Sequence, residues 1–301
     1  MSVTNTPRLL FLFVDGVGLG APGPENPFSV ADMPFLEGLL GGRLELGLNP
    51  VTRSALVFRS LDATLGTAGL PQSATGQTAL LTGKNGADIM GRHYGPWPGP
   101  TLKRVLDKGT LFSEVLTAGL EAQLANVYPP GYFQALARKK LRANVPVYAA
   151  RAAGLGLPSL TAYRQGRAVS VDLTGEHLRR YDEHLNPLTP RESGQRLARL
   201  SGAAHFTFFD YWPSDDAGHR ADFAEAAGLL ERLDTFLAGV VDALETTLLL
   251  TSDHGNLEDK SVKTHTRAPV PLLALGPGAE HFAELGDILD VTPAVRRLLS
   301  L

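Results

Sequence analysis

The chain contains no cysteine. It can therefore form neither a disulfide nor a thiolate metal site, and any metal it holds must sit on oxygen and nitrogen ligands. Long hydrophobic runs are missing as well. The amino-terminal segment MSVTNTPRLLFLFVDG has a lone Arg8 in place of a cationic stretch, and its apolar run Leu9–Val14 stops at Asp15. Such a run is too short for a signal-peptide core or a membrane span and suits a buried strand. A cytoplasmic protein without a membrane partner is expected. Nor is there an excess of charge of one sign: the net charge is −3, which gives no bulk electrostatic reason to expect a nucleic-acid partner.

What is present describes an ordinary soluble globular chain. Hydrophobic residues make up 44% and charged residues 20% of 301 positions, enough to bury a large core. The length exceeds a typical single domain, so one large α/β unit with a subdomain is expected.

Punctuation along the chain predicts strands alternating with helices. Leu9–Val14 reads as the first central strand, followed by a Gly/Pro-rich loop through Pro27. A short helix is predicted over Met33–Leu40, weak strands between Leu44 and Leu65, and a helix from Ser73, with Ser73 as N-cap and Gly83 as its stop. One or two helices are predicted over Thr101–Ala118, then a strand over Gln123–Val127 ended by a YPPGYF turn. Residues 135–195 are richer in Arg and lack a repeated strand–helix pattern, so a small cap or insertion is expected there, between core segments 1–134 and 196–301. A strand over His205–Phe209, a periodic helix over Ala221–Leu244, strands over Thr247–Thr251 and Val270–Leu275, and a last helix over Pro293–Leu299 complete the pattern. This alternation predicts an α/β fold: a mostly parallel, doubly wound sheet covered by helices on both faces.

Metal-type ligands gather at the ends of these elements. Asp15 follows LLFLFV, Asp253 and His254 follow TLLLT in SDHGN, and His265 lies in THTRAPVP. In SDDAGH, Asp215 or Asp216 either joins His219 or caps a helix beginning near Ala217. Asp215 and His219 are four residues apart, which places both on one face of a helical turn. Parallel strands bring their carboxyl ends to one sheet edge, where α/β folds bind ligands. Carboxylate oxygen beside imidazole nitrogen suits a divalent transition metal.

VDGVGLG at 14–20, LDATLGTAGLPQSATGQTALLTG at 61–83, DDAGH at 215–219, SDHGN at 252–256, HTRAPVP at 265–271 and DVTPAV at 290–295 occur in that order. Together they resemble the alkaline phosphatase superfamily, and most closely its metalloenzyme branch of cofactor-independent phosphoglycerate mutase and phosphopentomutase. The resemblance implies two divalent metal ions. One would be held by Asp215, His219 and His265, and the other by Asp15, Asp253, His254 and a nucleophile oxygen. The family's D-x-x-G-H spacing selects Asp215 over Asp216. Its nucleophile lies ten residues before the final Gly of the next helix, which from Gly83 lands on Ser73. Thr75 is the competitor, but a hydroxyl inside the helix tends to bond backwards to helix carbonyls. At a helix start, the amides of Ala74 and Thr75 are expected to face a phosphoryl oxygen. Mixed Asp and His ligands accept manganese or zinc, and resemblance to the mutases favours manganese.

The expected activity is phosphoryl transfer on a small phosphorylated metabolite, as a phosphatase working through a phosphoserine. A phosphomutase, a phosphodiesterase and a metal-binding relative without turnover are the alternatives. Only 141 residues separate Ser73 from Asp215, which leaves room for a small cap and argues against the full exclusion of water that a mutase needs. Arg92, His93, Arg151, Arg164 and Arg267 are candidate phosphate or carboxylate contacts. Trp97 and Trp212 are candidates either for lining a pocket or for packing.

Overall fold

A computed structural model describes residues 7–301; the first six residues of the segment read above for a leader, and the start of the first core segment, lie outside them. Seven strands form one sheet: β1 (Leu9–Val14), β2 (Val51–Arg53), β3 (Leu56–Leu61), β4 (Ala122–Leu124), β5 (Phe206–Tyr211), β6 (Thr247–Thr251) and β7 (Val270–Leu275). Their spatial order is β2-β3-β7-β6-β1-β5-β4. β6, β1, β5 and β4 pair in parallel. β7 is antiparallel to β6, β3 to β7, and β2 to β3. β3 therefore runs with the parallel strands, so five of the seven strands point one way within a mixed sheet.

β1, β5, β6 and β7 are buried at every position, because helices cover both faces of the sheet. The side-chain alternation of β1 shows this directly. Leu9, Phe11 and Phe13 pack with residues of helices Ser73–Thr82, Leu111–Thr117, Val145–Ala152 and Val291–Leu299. Leu10, Leu12 and Val14 pack on the opposite face with Pro34–Leu40, Pro190–Ser201 and Phe223–Asp242. Among the described residues no helix is long and apolar enough to cross a membrane.

Local signals explain most element limits. Phe223–Asp242 starts at Asp222, whose carboxylate accepts from the Glu225 amide 2.8 Å away in a reciprocal capping box. Gly83 ends the helix before it in the left-handed conformation (φ 68°). The start of that helix corrects the sequence reading. Gln72, still extended (φ −138°, ψ 143°), is the N-cap and Ser73 is the first helical residue, its hydroxyl facing His254. The YPPGYF segment is not only a turn: it opens a helix, Pro130–Ala137, with proline in its first turn.

The Arg-rich stretch 135–195 is distributed between two layers. Its helix Val145–Ala152 joins the main core, whereas Leu160, Ala162, Tyr163, Ala168 and Leu178 form a satellite cluster with Val127. Residue 195 itself falls inside Pro190–Ser201.

Pro190–Ser201 and Phe223–Asp242 approach at backbone distance through Gly194 and Gly239. A Cβ on Gly194 would collide with the Phe236 carbonyl, and one on Gly239 with the Arg191 carbonyl. Backbone cannot move aside as a flexible side chain can. Gly239→Ala is therefore expected to destabilise the protein by about 1–3 kcal/mol, read as a lower urea midpoint at unchanged slope. A midpoint equal to the parent's would show that the helices separate without cost.

Candidate metal centre and active site

Five segments converge at the sheet edge formed by the carboxyl ends of β1, β5 and β6. Asp15 follows β1 directly, and Asp253 and His254 follow β6. The helix Pro213–Arg220, entered from β5, carries Asp215 and His219 one turn apart. β7 runs the opposite way, so the residues preceding it, including His265, reach the same edge. Ser73 arrives on the helix that follows β3. The turn after Asp15 requires Gly16, which is left-handed (φ 67°) and would place a Cβ 2.6 Å from Asp215 Oδ1.

The expected ligands come together. His254 Nε2 lies 3.5 Å from both Asp15 Oδ1 and Asp253 Oδ2, and 3.1 Å from Ser73 Oγ. His265 Nε2 lies 3.5 Å from Asp215 Oδ1 and 3.2 Å from His219 Nε2, and His219 Nε2 is 3.5 Å from Asp215 Oδ2. The rings of His254 and His265 stack with centroids 3.8 Å apart. Two compact ligand groups result, Asp15–Asp253–His254 and Asp215–His254–His265, each with its donor atoms within 4.8 Å of one another. His254 belongs to both.

The chemistry of this donor set fits cations. Each imidazole turns Nδ1 to a backbone carbonyl: His265 to Pro71 at 2.8 Å, His219 to Lys263 at 3.0 Å and His254 to Gly255 at 3.3 Å. Nδ1–H donates there, which leaves the Nε2 lone pairs facing inward. Two such lone pairs 3.2 Å apart repel unless a positive centre lies near them. Asp15 Oδ1 is buried without a hydrogen-bond partner. The electrostatics agree. Burial, then the charges of Asp253 and Asp215, raises the Asp15 carboxyl well above its ordinary range. Burial and the Asp215 charge push Asp253 up to about 7. Burial lowers His254 to about 4, and burial with the neighbouring His254 lowers His265 to about 4.

The chain is similar to known proteins in sequence and in fold. A sequence model of the metalloenzyme superfamily matches residues 192–301. The 2,3-bisphosphoglycerate-independent phosphoglycerate mutase of Pseudomonas fluorescens is 36% identical over 102 residues, covering 31% of this chain and 20% of the mutase. The mutase of the same name from Vibrio parahaemolyticus is 31% identical over 132 residues, covering 40% and 26%. The chain thus matches about a fifth to a quarter of the length of these curated relatives. The solved alkaline phosphatase from the Antarctic bacterium TAB5 superposes with a TM-score of 0.53 at 13% identity, covering 98% of each chain. Leishmania mexicana phosphoglycerate mutase does so at 0.52 and 12% identity, covering 99% of this chain and 96% of its own. The chain has an alkaline-phosphatase-like fold, and its residues 192–301 are similar to the metalloenzyme superfamily.

Several residues of this site were not picked out from the sequence. Gln77 donates from Nε2 to Asp15 Oδ2 and Asp253 Oδ2, both at 3.0 Å, and so ties the two carboxylates together. It lies one helical turn after Ser73, which is the signal that would have found it. Asn256 donates to Asp215 Oδ1 at 2.6 Å. The buried Glu258 carboxylate accepts from the Gly18 and Asn256 amides at 2.9 and 2.8 Å, bracing the loop after β1 against the SDHGN turn. Asp210 is also buried, with Oδ2 bound by Asn144 at 2.7 Å and Oδ1 unpartnered. A carboxylate inside the apolar FTFFDY strand is its signal, and the strand runs two residues beyond the Phe209 expected as its end.

Two amides expected at the helix start are not both available. The Thr75 N–H donates to the Tyr94 and Gln72 carbonyls at 3.0 and 3.1 Å. Thr75 Oγ1 turns back to the Gln72 carbonyl at 2.9 Å, as a hydroxyl within a helix tends to do.

A cavity of about 870 Å³ opens over Ser73, Asp15, Asp215 and His265, with Arg142, Arg220 and Lys263 as the cations of its wall. Arg92, His93, Arg151, Arg164 and Arg267 do not line it. Arg267 instead donates to the Gly69 carbonyl at 2.7 Å, His93 Nε2 lies 3.3 Å from the Thr67 carbonyl, and Arg164 pairs with Asp182. Trp97 and Trp212 do line the cavity.

Asp210, a carboxylate outside the expected ligand set, allows a test of these electrostatics. Burial pushes its carboxyl up to about 7, against about 3.9 in an unfolded chain. The folded state then holds a proton that the unfolded state has lost, so stability falls as pH rises between those values. In chelator-treated protein, Asp210→Asn is expected to raise the melting temperature relative to the parent at pH 8 more than at pH 5. A difference independent of pH would show that Asp210 ionises freely.

Proposed function

We propose that this protein is a two-metal phosphatase that releases phosphate from a small phosphorylated metabolite through a phosphoserine on Ser73. The observation that carries the reading is the position of Ser73 Oγ, 3.1 Å from the imidazole nitrogen shared by the two ligand groups. In this reading Asp215, His219 and His265 hold one divalent ion, and Asp15, Asp253, His254 and Ser73 Oγ hold the other. Manganese or zinc bound there would supply a lowered hydroxyl pKa, an activated water and neutralisation of developing charge, as paired ions about 4 Å apart do in related chemistry. The chain's own residues supply position. Gln77 and Asn256 fix the carboxylates, the backbone carbonyls fix the imidazoles, and the helix start aims Ser73 Oγ at the phosphorus.

Two displacements follow. The Ser73 hydroxyl gives up its proton to solvent as the Oγ–P bond forms and the ester P–O bond breaks, and the departing alkoxide takes up a proton from solvent in the open cavity. Water then attacks the phosphoserine and loses a proton, the Oγ–P bond breaks, Ser73 Oγ regains a proton, and inorganic phosphate leaves. In this reading the part of 135–195 that lines the cavity, Leu141, Arg142, Asn144 and Val147, serves as a small cap. Exposed Trp97 and Trp212 at the cavity wall leave water access, which favours hydrolysis over return of the phosphoryl group to the same molecule.

Chelated protein reloaded with manganese or zinc should release phosphate from phosphomonoesters. Isomerisation of a phosphoglycerate without phosphate release would replace this reading with a mutase, and turnover of diesters alone with a phosphodiesterase. Ser73→Ala should lower kcat on the order of 10³-fold or more while still binding metal. Unchanged turnover in that variant would remove Ser73 as the nucleophile.

Metal loading should also depend on pH. Asp253, held at about 7 without metal, must lose its proton, whereas His254 and His265, lowered to about 4, are already neutral. Apparent affinity should therefore fall by about tenfold per proton displaced for each unit below pH 7. Titration calorimetry in buffers of different ionisation enthalpy would show the released proton; no buffer dependence would contradict the assignment.

A further inference from the structure

Most phenylalanines of the chain are buried, whereas both tryptophans are exposed. Phe11, Phe13, Phe58, Phe112, Phe206 and Phe208 are among its largest fully buried side chains. The only two tryptophans stand 41% and 46% exposed, and both line the cavity above Ser73. Trp97 sits in the loop before the helix Pro100–Leu106, and Trp212 is the residue between β5 and Pro213–Arg220. Two unrelated segments thus bring indole rings to one mouth without covering them. An exposed indole gives up a large burial gain, so two of them at one cavity mark a binding surface.

The rest of the cavity is shaped for more than a phosphate. At about 870 Å³ it falls in the upper part of the range for pockets that enclose drug-sized ligands. Tyr128 and Tyr132 add a tilted pair of rings to its wall, 4.6 Å between centroids and 41° between planes. Arg142 lies over the Trp97 ring at 5.4 Å, which fixes a cation at the aromatic rim. Asp210, whose buried Oδ1 has no hydrogen-bond partner, belongs to the same wall.

We propose that the alcohol half of the substrate is a nucleoside, its planar base stacked on Trp97 and Trp212 while its phosphate meets Ser73. This inference rests on the phosphatase reading for the chemistry but not for the stacking. Because the chain has no other tryptophan, its fluorescence under tryptophan-selective excitation reports this mouth alone.

The test titrates metal-loaded Ser73→Ala protein with adenosine 5′-monophosphate and with glycerol 3-phosphate. The nucleotide should quench the fluorescence saturably and bind on the order of tenfold or more tighter than glycerol 3-phosphate. Adding Trp97→Ala or Trp212→Ala, each of which retains the other indole as reporter, should weaken nucleotide binding on the order of tenfold. Phe at either position should restore most of it, and unchanged thermal melting serves as the folding control. Equal affinity for the two esters, or alanine variants that bind the nucleotide as tightly as their parent, would overturn the proposal. The two readings fail separately. Nucleotide binding without phosphate release from any ester leaves the stacking and removes the phosphatase. Release from both esters with KM values that ignore the tryptophans leaves the phosphatase and removes the nucleoside.

Discussion

The packing of like-charged groups into a buried sheet edge is the constraint on which the rest of the site depends. The charges of Asp253 and Asp215 disfavour the ionisation of Asp15, and that of Asp215 disfavours the ionisation of Asp253, in surroundings that strip away the water that would otherwise separate them. Uncompensated buried charge is costly, and proteins usually discharge it by protonation or pairing. Here the neighbouring bases are imidazoles that burial itself keeps neutral. They contribute lone pairs and no compensating positive charge. Such a cluster is tolerable where a cation completes it, and the same electrostatics make cation binding compete with protons.

Topology makes that convergence possible. A purely parallel sheet would bring only strand carboxyl ends to the site edge, and those supply Asp15, the Asp215 helix and the Asp253–His254 turn. His265 precedes its strand, so it reaches the edge only because β7 runs against β6. The antiparallel side of the sheet is therefore part of the site's construction. Glu258 then locks the turn after β6 to the loop after β1 and to Thr266, so that three of the ligand-bearing segments share one brace.

Residues with a strong local signal were legible from the sequence, and residues defined by packing were not. The apolar runs of β1, β6 and β7 locate those strands because each is buried on both faces. The polar residues just beyond them locate the ligands. Gln77 was not legible, since an amide in an Ala/Leu-rich helix has many explanations and its role appears only when Asp15 and Asp253 lie beside it. The walls of the cavity were equally hidden. Arg142 and Lys263 face it through contacts distant in sequence, whereas Arg267, adjacent to the ligand segment, turns to a backbone carbonyl. The mostly parallel sheet was legible from the alternation of strands and helices, but not which strands run against it, since the amino acids of a central strand do not encode which way its neighbour runs.

The one-residue difference at the start of Ser73–Thr82 matters for the chemistry. A serine at the N-cap satisfies a helix amide with its own hydroxyl, which contributes about 1 kcal/mol to the helix. That hydroxyl is then engaged with the backbone. Here Gln72 occupies the cap with no side-chain bond, and Ser73 sits one position inside. The helix forgoes that stabilisation, and the hydroxyl is released to face His254 instead. Thr75, two residues on, shows the opposite outcome, its hydroxyl held against the Gln72 carbonyl. Of the two hydroxyls, only that of Ser73 is both buried at the ligand groups and free of the helix backbone, which physically distinguishes a candidate nucleophile from a neighbour of the same chemical class.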